Sequence, residues 1–126
     1  MLSLPKVVVV VDDEPETTEM IAEMVRLSGC QAIPSFGGVP AMNLIARERP
    51  DAVVLDVMMP DLSGYEVLRF IRKDPRLMHI PVIMVSARGC PEDIQEGLKA
   101  GAEVYLTKPV AFAELRQAVQ QVTAYR

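Results

Sequence analysis

Apolar positions along the chain follow two alternating patterns. Continuous β-branched runs occur at Val7–Val11, Ala52–Leu55 and Val82–Val85. Each is too short for a helix and too unbroken for a strand with one wet face. Each therefore predicts a strand covered on both sides. Shorter runs at Cys30–Ile33 and Val104–Thr107 predict two more strands. Pro34 is expected to interrupt the first of these, at a sheet edge where proline is tolerated.

Between the runs the period becomes helical. Glu16–Leu27 sets Met20, Ile21, Met24 and Val25 on one stripe, with Gly29 as a stop. Ala41–Glu48 carries Met42, Leu44 and Ile45 after Pro40, which suits a first turn. Tyr65–Lys73 ends before Asp74-Pro75, Glu92–Ala100 lies between Pro91 and Gly101, and Phe112–Val122 comes last. Met20, Met24, Met42 and Met84 read mostly as core filler, with Met20 near the exposed edge of the first helix, where a kinase could touch it. Five strands alternating with five helices predict an α/β fold. Its strands are parallel, its crossovers right-handed, and helices cover both faces.

Composition narrows the class. At 126 residues, half of them apolar, the chain suits a single domain over residues 1–126 with one sizeable core. A formal charge of −4 is too acidic for an unaided binder of nucleic-acid backbone. The longest apolar run is far below the ~20 residues that cross a bilayer. Met1–Lys6 lacks the basic start and long apolar stretch of a secretion signal, so a cytoplasmic protein without membrane contact is expected. Cys30 and Cys90 are then thiols, and two sulfurs without a nearby histidine make no zinc site. His79 is the only histidine, and it reads as a surface loop residue.

In an open parallel sheet, ligands bind beyond the carboxyl ends of the strands. Asp12, Asp13 and Glu14 follow the first strand, Asp56 the third, Ser86 the fourth, and Lys108-Pro109 the fifth. Taken singly, Asp12 or Asp13 reads as a helix cap, Asp56 as a turn residue, and Lys108 as a solvated lysine. Their common position at the same end of four strands changes that reading. Clustered carboxylates repel unless a cation sits among them, and a few oxygens plus water suit Mg²⁺. A lysine facing the metal leaves a slot that suits a phosphoryl group.

Asp12-Asp13-Glu14-Pro15, the run Leu55–Gly64, Ser86-Ala87 and Tyr105–Pro109 together resemble a two-component response-regulator receiver domain. The spacings are 43 from Asp13 to Asp56, 30 to Ser86 and 22 to Lys108. The resemblance runs from Lys6 to about Val122. It implies a flavodoxin-like doubly wound (βα)5 fold with strand order 2-1-3-4-5. It makes Asp56 the phosphoacceptor, which takes a phosphoryl group from a sensor histidine kinase or phosphotransfer protein. Asp13, Asp56 and the backbone carbonyl of Met58 would hold Mg²⁺, with Asp12 in that shell or just behind it. Lys108 would pair with the phosphoryl oxygens and Ser86 would offer its hydroxyl to them. Tyr105 would be the switch aromatic, and Ala87 the small residue beside the phosphoryl. A cis bond is expected at Lys108-Pro109.

The module would catalyse only its own phosphorylation and dephosphorylation. Its output would run through a downstream effector, an output domain beyond Tyr125-Arg126, or a phosphorylation-dependent dimer. One alternative is an aspartyl-phosphate phosphatase of haloacid-dehalogenase type. That chemistry wants Asp-x-Asp after the first strand, where this chain has adjacent Asp12-Asp13. A second is a nucleotide- or flavin-binding domain, but no phosphate-cradling glycine motif occurs.

Overall fold

The computed structural model describes residues 4–124. Part of Met1–Lys6, and the Tyr125-Arg126 end, lie outside them. In chain order the elements are β1 (Val7–Val11), α1 (Pro15–Leu27), β2 (Gln31–Ser35), α2 (Gly38–Glu48), β3 (Ala52–Asp56), α3 (Gly64–Lys73), β4 (Val82–Ser86), α4 (Pro91–Ala100), β5 (Val104–Thr107) and α5 (Phe112–Thr123). All strand pairs are parallel, in the order β2-β1-β3-β4-β5. This is the flavodoxin-like arrangement expected from the sequence.

Strand alternation feeds two apolar layers. Val9, Val11, Val53, Leu55, Val82 and Met84 pack with Ile45 of α2 and Leu68 and Ile71 of α3. Val8, Val10, Val54, Ile83 and Val85 pack with Ile21 and Val25 of α1 and Leu115 and Val119 of α5. Full burial of one such side chain contributes about 1.5–3 kcal/mol. Every residue of β3 and β4 is buried, so their ends are the most firmly placed points of the sheet.

Three expectations are corrected. Pro34 does not interrupt β2, because the strand continues through it opposite Val10. Gln31 donates its N–H to the Lys6 carbonyl, and Asp12 donates to the Ser35 carbonyl. Alternation therefore turns the Pro34 nitrogen to the open edge, where no donor is needed. Helix α2 begins at Gly38, ahead of Ala41, with Pro40 inside its first turn. The Asp61 carboxylate meets its free N–H groups, accepting from Gly38 at 3.2 Å and Val39 at 3.0 Å. Met20 is 46% exposed rather than core, whereas Met84 is fully buried. His79 and Cys90 are exposed, Cys30 is half-buried, and both cysteines are free thiols. The Lys108-Pro109 bond is cis. Among the described residues, no helix is long and apolar enough to cross a membrane.

Candidate functional site

The strand ends build one acidic cleft. The chain leaving β1 delivers Asp12 and Asp13, β3 ends in Asp56, β4 ends in Ser86, and Lys108 follows β5. Asp12 and Asp56 are buried, and Asp13 is half-buried. One carboxylate oxygen from each lies within 4.8 Å of the other two. Asp12 is fixed from two directions. Its Oδ1 accepts the Glu14 N–H at 3.0 Å, and its Oδ2 accepts from Lys108 Nζ at 3.1 Å. Neither Asp12 nor Asp13 is the cap of α1: that position falls to Glu14, without a side-chain bond, and Pro15 opens the helix.

The same ammonium lies 3.3 Å from Asp56 Oδ1. One lysine thus meets two of three clustered carboxylates, and negative charge remains uncompensated. Burial pushes the Asp56 carboxyl up to about 6, and the Asp12 charge adds to it. Lys108 and the Met58 backbone pull in the opposite direction without cancelling the rise. Burial alone would lower Lys108, but its bond to Asp12 and the two carboxylate charges outweigh it and raise the ammonium. An all-oxygen donor set with surplus negative charge fits a hard divalent cation such as Mg²⁺.

Two supports of this cleft were not evident from the sequence. The Thr18 hydroxyl, in α1, lies 2.9 Å from the Asp12 carbonyl oxygen and 2.8 Å from that of Glu14, bracing the acidic loop. Gly64 opens α3 directly against the backbone of Asp56. A Cβ there would overlap the Asp56 carbonyl oxygen and the Val57 Cα. Its N–H also donates to the Val57 carbonyl at 2.8 Å. The only sequence signals were a threonine three residues into a helix and a glycine after a polar turn.

Ser86 is fully buried, and its Oγ accepts the Arg88 N–H at 3.1 Å. Tyr105 is half-buried and donates its hydroxyl to the Arg88 carbonyl at 2.8 Å. Ala87 and Arg88 are exposed at the start of the β4–α4 loop, and the Met58 side chain is exposed in the loop after β3. Met58, Tyr65, Arg88, Asp93, Glu96 and Tyr105 line a cavity of about 520 Å³ beside the cleft.

Residues 8–120 match the family model described as the response regulator receiver domain. The chain belongs to that family. This receiver domain is 42% identical over 112 residues to TcrX of Mycobacterium tuberculosis, covering 88% of the chain and 47% of TcrX. It is 32% identical to the polar-differentiation response regulator DivK of Brucella anthropi, covering 86% and 88%. The chain thus spans about half of TcrX but most of DivK. Among solved structures, it resembles the receiver domain of a sensor histidine kinase from Pseudomonas aeruginosa. The TM-score is 0.87 at 30% identity, with 96% of this chain and 99% of that one covered. That structure has a magnesium ion coordinated in its active-site cleft. Receiver domains are signalling modules of two-component phosphorelays, so the phosphatase alternative is not favoured.

Proposed function

We propose that this receiver domain takes a phosphoryl group onto Asp56 from the phosphohistidine of a sensor histidine kinase or phosphotransfer protein. A carboxylate oxygen of Asp56 attacks phosphorus while the phosphorus–nitrogen bond breaks, and the departing imidazole keeps the electron pair. Asp13, Asp56 and the Met58 backbone carbonyl, with Asp12 beside or behind them, would hold Mg²⁺. When bound, the ion neutralises charge on the transferring group. Lys108 pairs with the phosphoryl oxygens, and Ser86 turns its hydroxyl toward them once the group is attached. The domain promotes only its own phosphorylation and dephosphorylation.

The observation that carries this reading is the Asp12–Lys108–Asp56 bridge. It aims one ammonium at the single acid that ends a fully buried central strand. Residues 1–126 act as one receiver domain, working in the cytoplasm through an effector, an output domain or a phosphorylation-dependent dimer. No direct contact with nucleic acid or membrane is part of the reading. Incubation with acetyl phosphate and Mg²⁺, read by intact mass, tests it. One phosphoryl group is expected on the parent and none on Asp56→Asn; an equal gain on both overturns the assignment.

A further inference from the structure

Helix α4 rests on the sheet through very little. Gly97 is its only buried residue, and Leu98 beside it is 45% exposed. What lies against Gly97 is the ring of Tyr105. A Cβ at position 97 would sit 2.6 Å from Tyr105 Cδ2 and 3.0 Å from Cε2, with Met84 Sδ at 3.5 Å. The glycine is helical, so what the site demands of it is space rather than an unusual backbone angle.

We propose that Gly97 is the seat that holds Tyr105 in this position, making it a positioning residue for the conformational switch. The proposal rests on the reading of Tyr105 as the switch aromatic. Two contacts define this position: the ring on the bare α4 backbone at Gly97, and the hydroxyl on the Arg88 carbonyl. A methyl group at 97 occupies the space of the ring. The methyl group would also meet the fully buried Met84 at 3.5 Å, so little room remains on that side. Sliding the whole helix away is resisted at one end, where Arg72 donates to the Gly101 carbonyl from Nε at 3.1 Å and Nη2 at 2.7 Å. With the helix held there, the ring leaves its seat and gives up the Arg88 bond.

The test combines Gly97→Ala, Tyr105→Ala and the double variant, with Leu98→Ala as a control on the same helix. In unphosphorylated protein, the Tyr105 ring resonances of Gly97→Ala should move away from their parent positions, while those of Leu98→Ala stay. Gly97→Ala should lower the melting temperature of the parent, and most of that loss should vanish in the Tyr105→Ala background. A helix-packing defect alone would lower both backgrounds equally. Unmoved ring resonances, or an equal loss in both backgrounds, would overturn the seat. Phosphorylation of the parent separates this from the switch reading. If acetyl phosphate leaves the Tyr105 ring unmoved while Gly97→Ala displaces it, the switch reading fails and the seat stands.

Discussion

Ser86 and Tyr105 are joined through one residue that lies between them. Ser86 Oγ accepts the Arg88 N–H, and the Tyr105 hydroxyl donates to the Arg88 carbonyl. On the proposed reading, moving Ser86 Oγ toward a phosphoryl group would release that N–H and free the carbonyl that holds Tyr105 to shift with it. One charge-assisted hydrogen bond supplies about 1.5–3 kcal/mol. Moving a population from 1:99 to 99:1 needs about 5.5 kcal/mol. On that reading Ser86 alone is too weak, and Lys108 would share the work by leaving Asp12 for the phosphoryl oxygens.

Ser86→Ala should therefore still accept a phosphoryl group on Asp56 but signal weakly. Phosphorylation-dependent amide shifts over residues 92–108 should shrink severalfold in an NMR comparison with the parent. Undiminished shifts would remove Ser86 from the route while leaving the phosphoacceptor in place.

Asp13→Asn takes one charge from the three-carboxylate cluster. Mg²⁺ affinity, followed by amide shifts during titration, should fall about tenfold or more, as for the loss of one of few ligands. The rate of phosphorylation at limiting Mg²⁺ should fall with it. A parent-like rate at limiting Mg²⁺ would mean that Asp13 is not a ligand.

The raised Asp56 carboxyl makes a pH prediction for the metal-free protein. A folded-state pKa of about 6, above the ordinary 3.8, means the folded state binds more protons than the unfolded one between those values. Stability from this group is thus fully present below about pH 4 and is lost as pH rises toward and past 6. The loss is on the order of 3 kcal/mol. Asp56→Asn should consequently be the more stable protein in chelator at pH 7.5, with the difference closing near pH 4 in denaturant titrations. Saturating Mg²⁺ should restore much of the parent's stability at pH 7.5.

Gly64→Ala puts a methyl group onto backbone atoms that cannot rotate away. Overpacking of this kind costs about 1–3 kcal/mol. Because the atoms belong to Asp56 and Val57, phosphorylation by acetyl phosphate should slow as well. A variant that melts lower but phosphorylates at the parent rate would show that α3 shifts without disturbing the acid.

The sheet and the acid cleft were legible because local signals dominate there. Val7–Val11, Ala52–Leu55 and Val82–Val85 are continuous apolar runs, and each cleft residue stands at or just beyond the end of a strand. Pro34 was misread because tolerance at an edge depends on which way the nitrogen faces, a property of register rather than composition. Met20 sits on the same stripe as Ile21, yet the helix rotates it outward. Contacts distant in sequence left no local trace. Asp61 meets α2 from more than twenty residues away, and Arg72 reaches Gly101 across twenty-nine. Gly97 looks like a weak spot in a helix until the Tyr105 ring is seen against it.

The outward nitrogen of Pro34 also governs what the sheet can recruit. The order β2-β1-β3-β4-β5 leaves two open edges, and along β2 the outward nitrogens belong to residues 32 and 34. Proline removes one of those two donors, so an incoming strand from a neighbouring chain would find a ladder broken after a single rung. The β5 edge contains no such gap. Unwanted strand-to-strand aggregation is thus blocked on the side far from Tyr105. The edge still able to accept a foreign strand is the one that carries Tyr105.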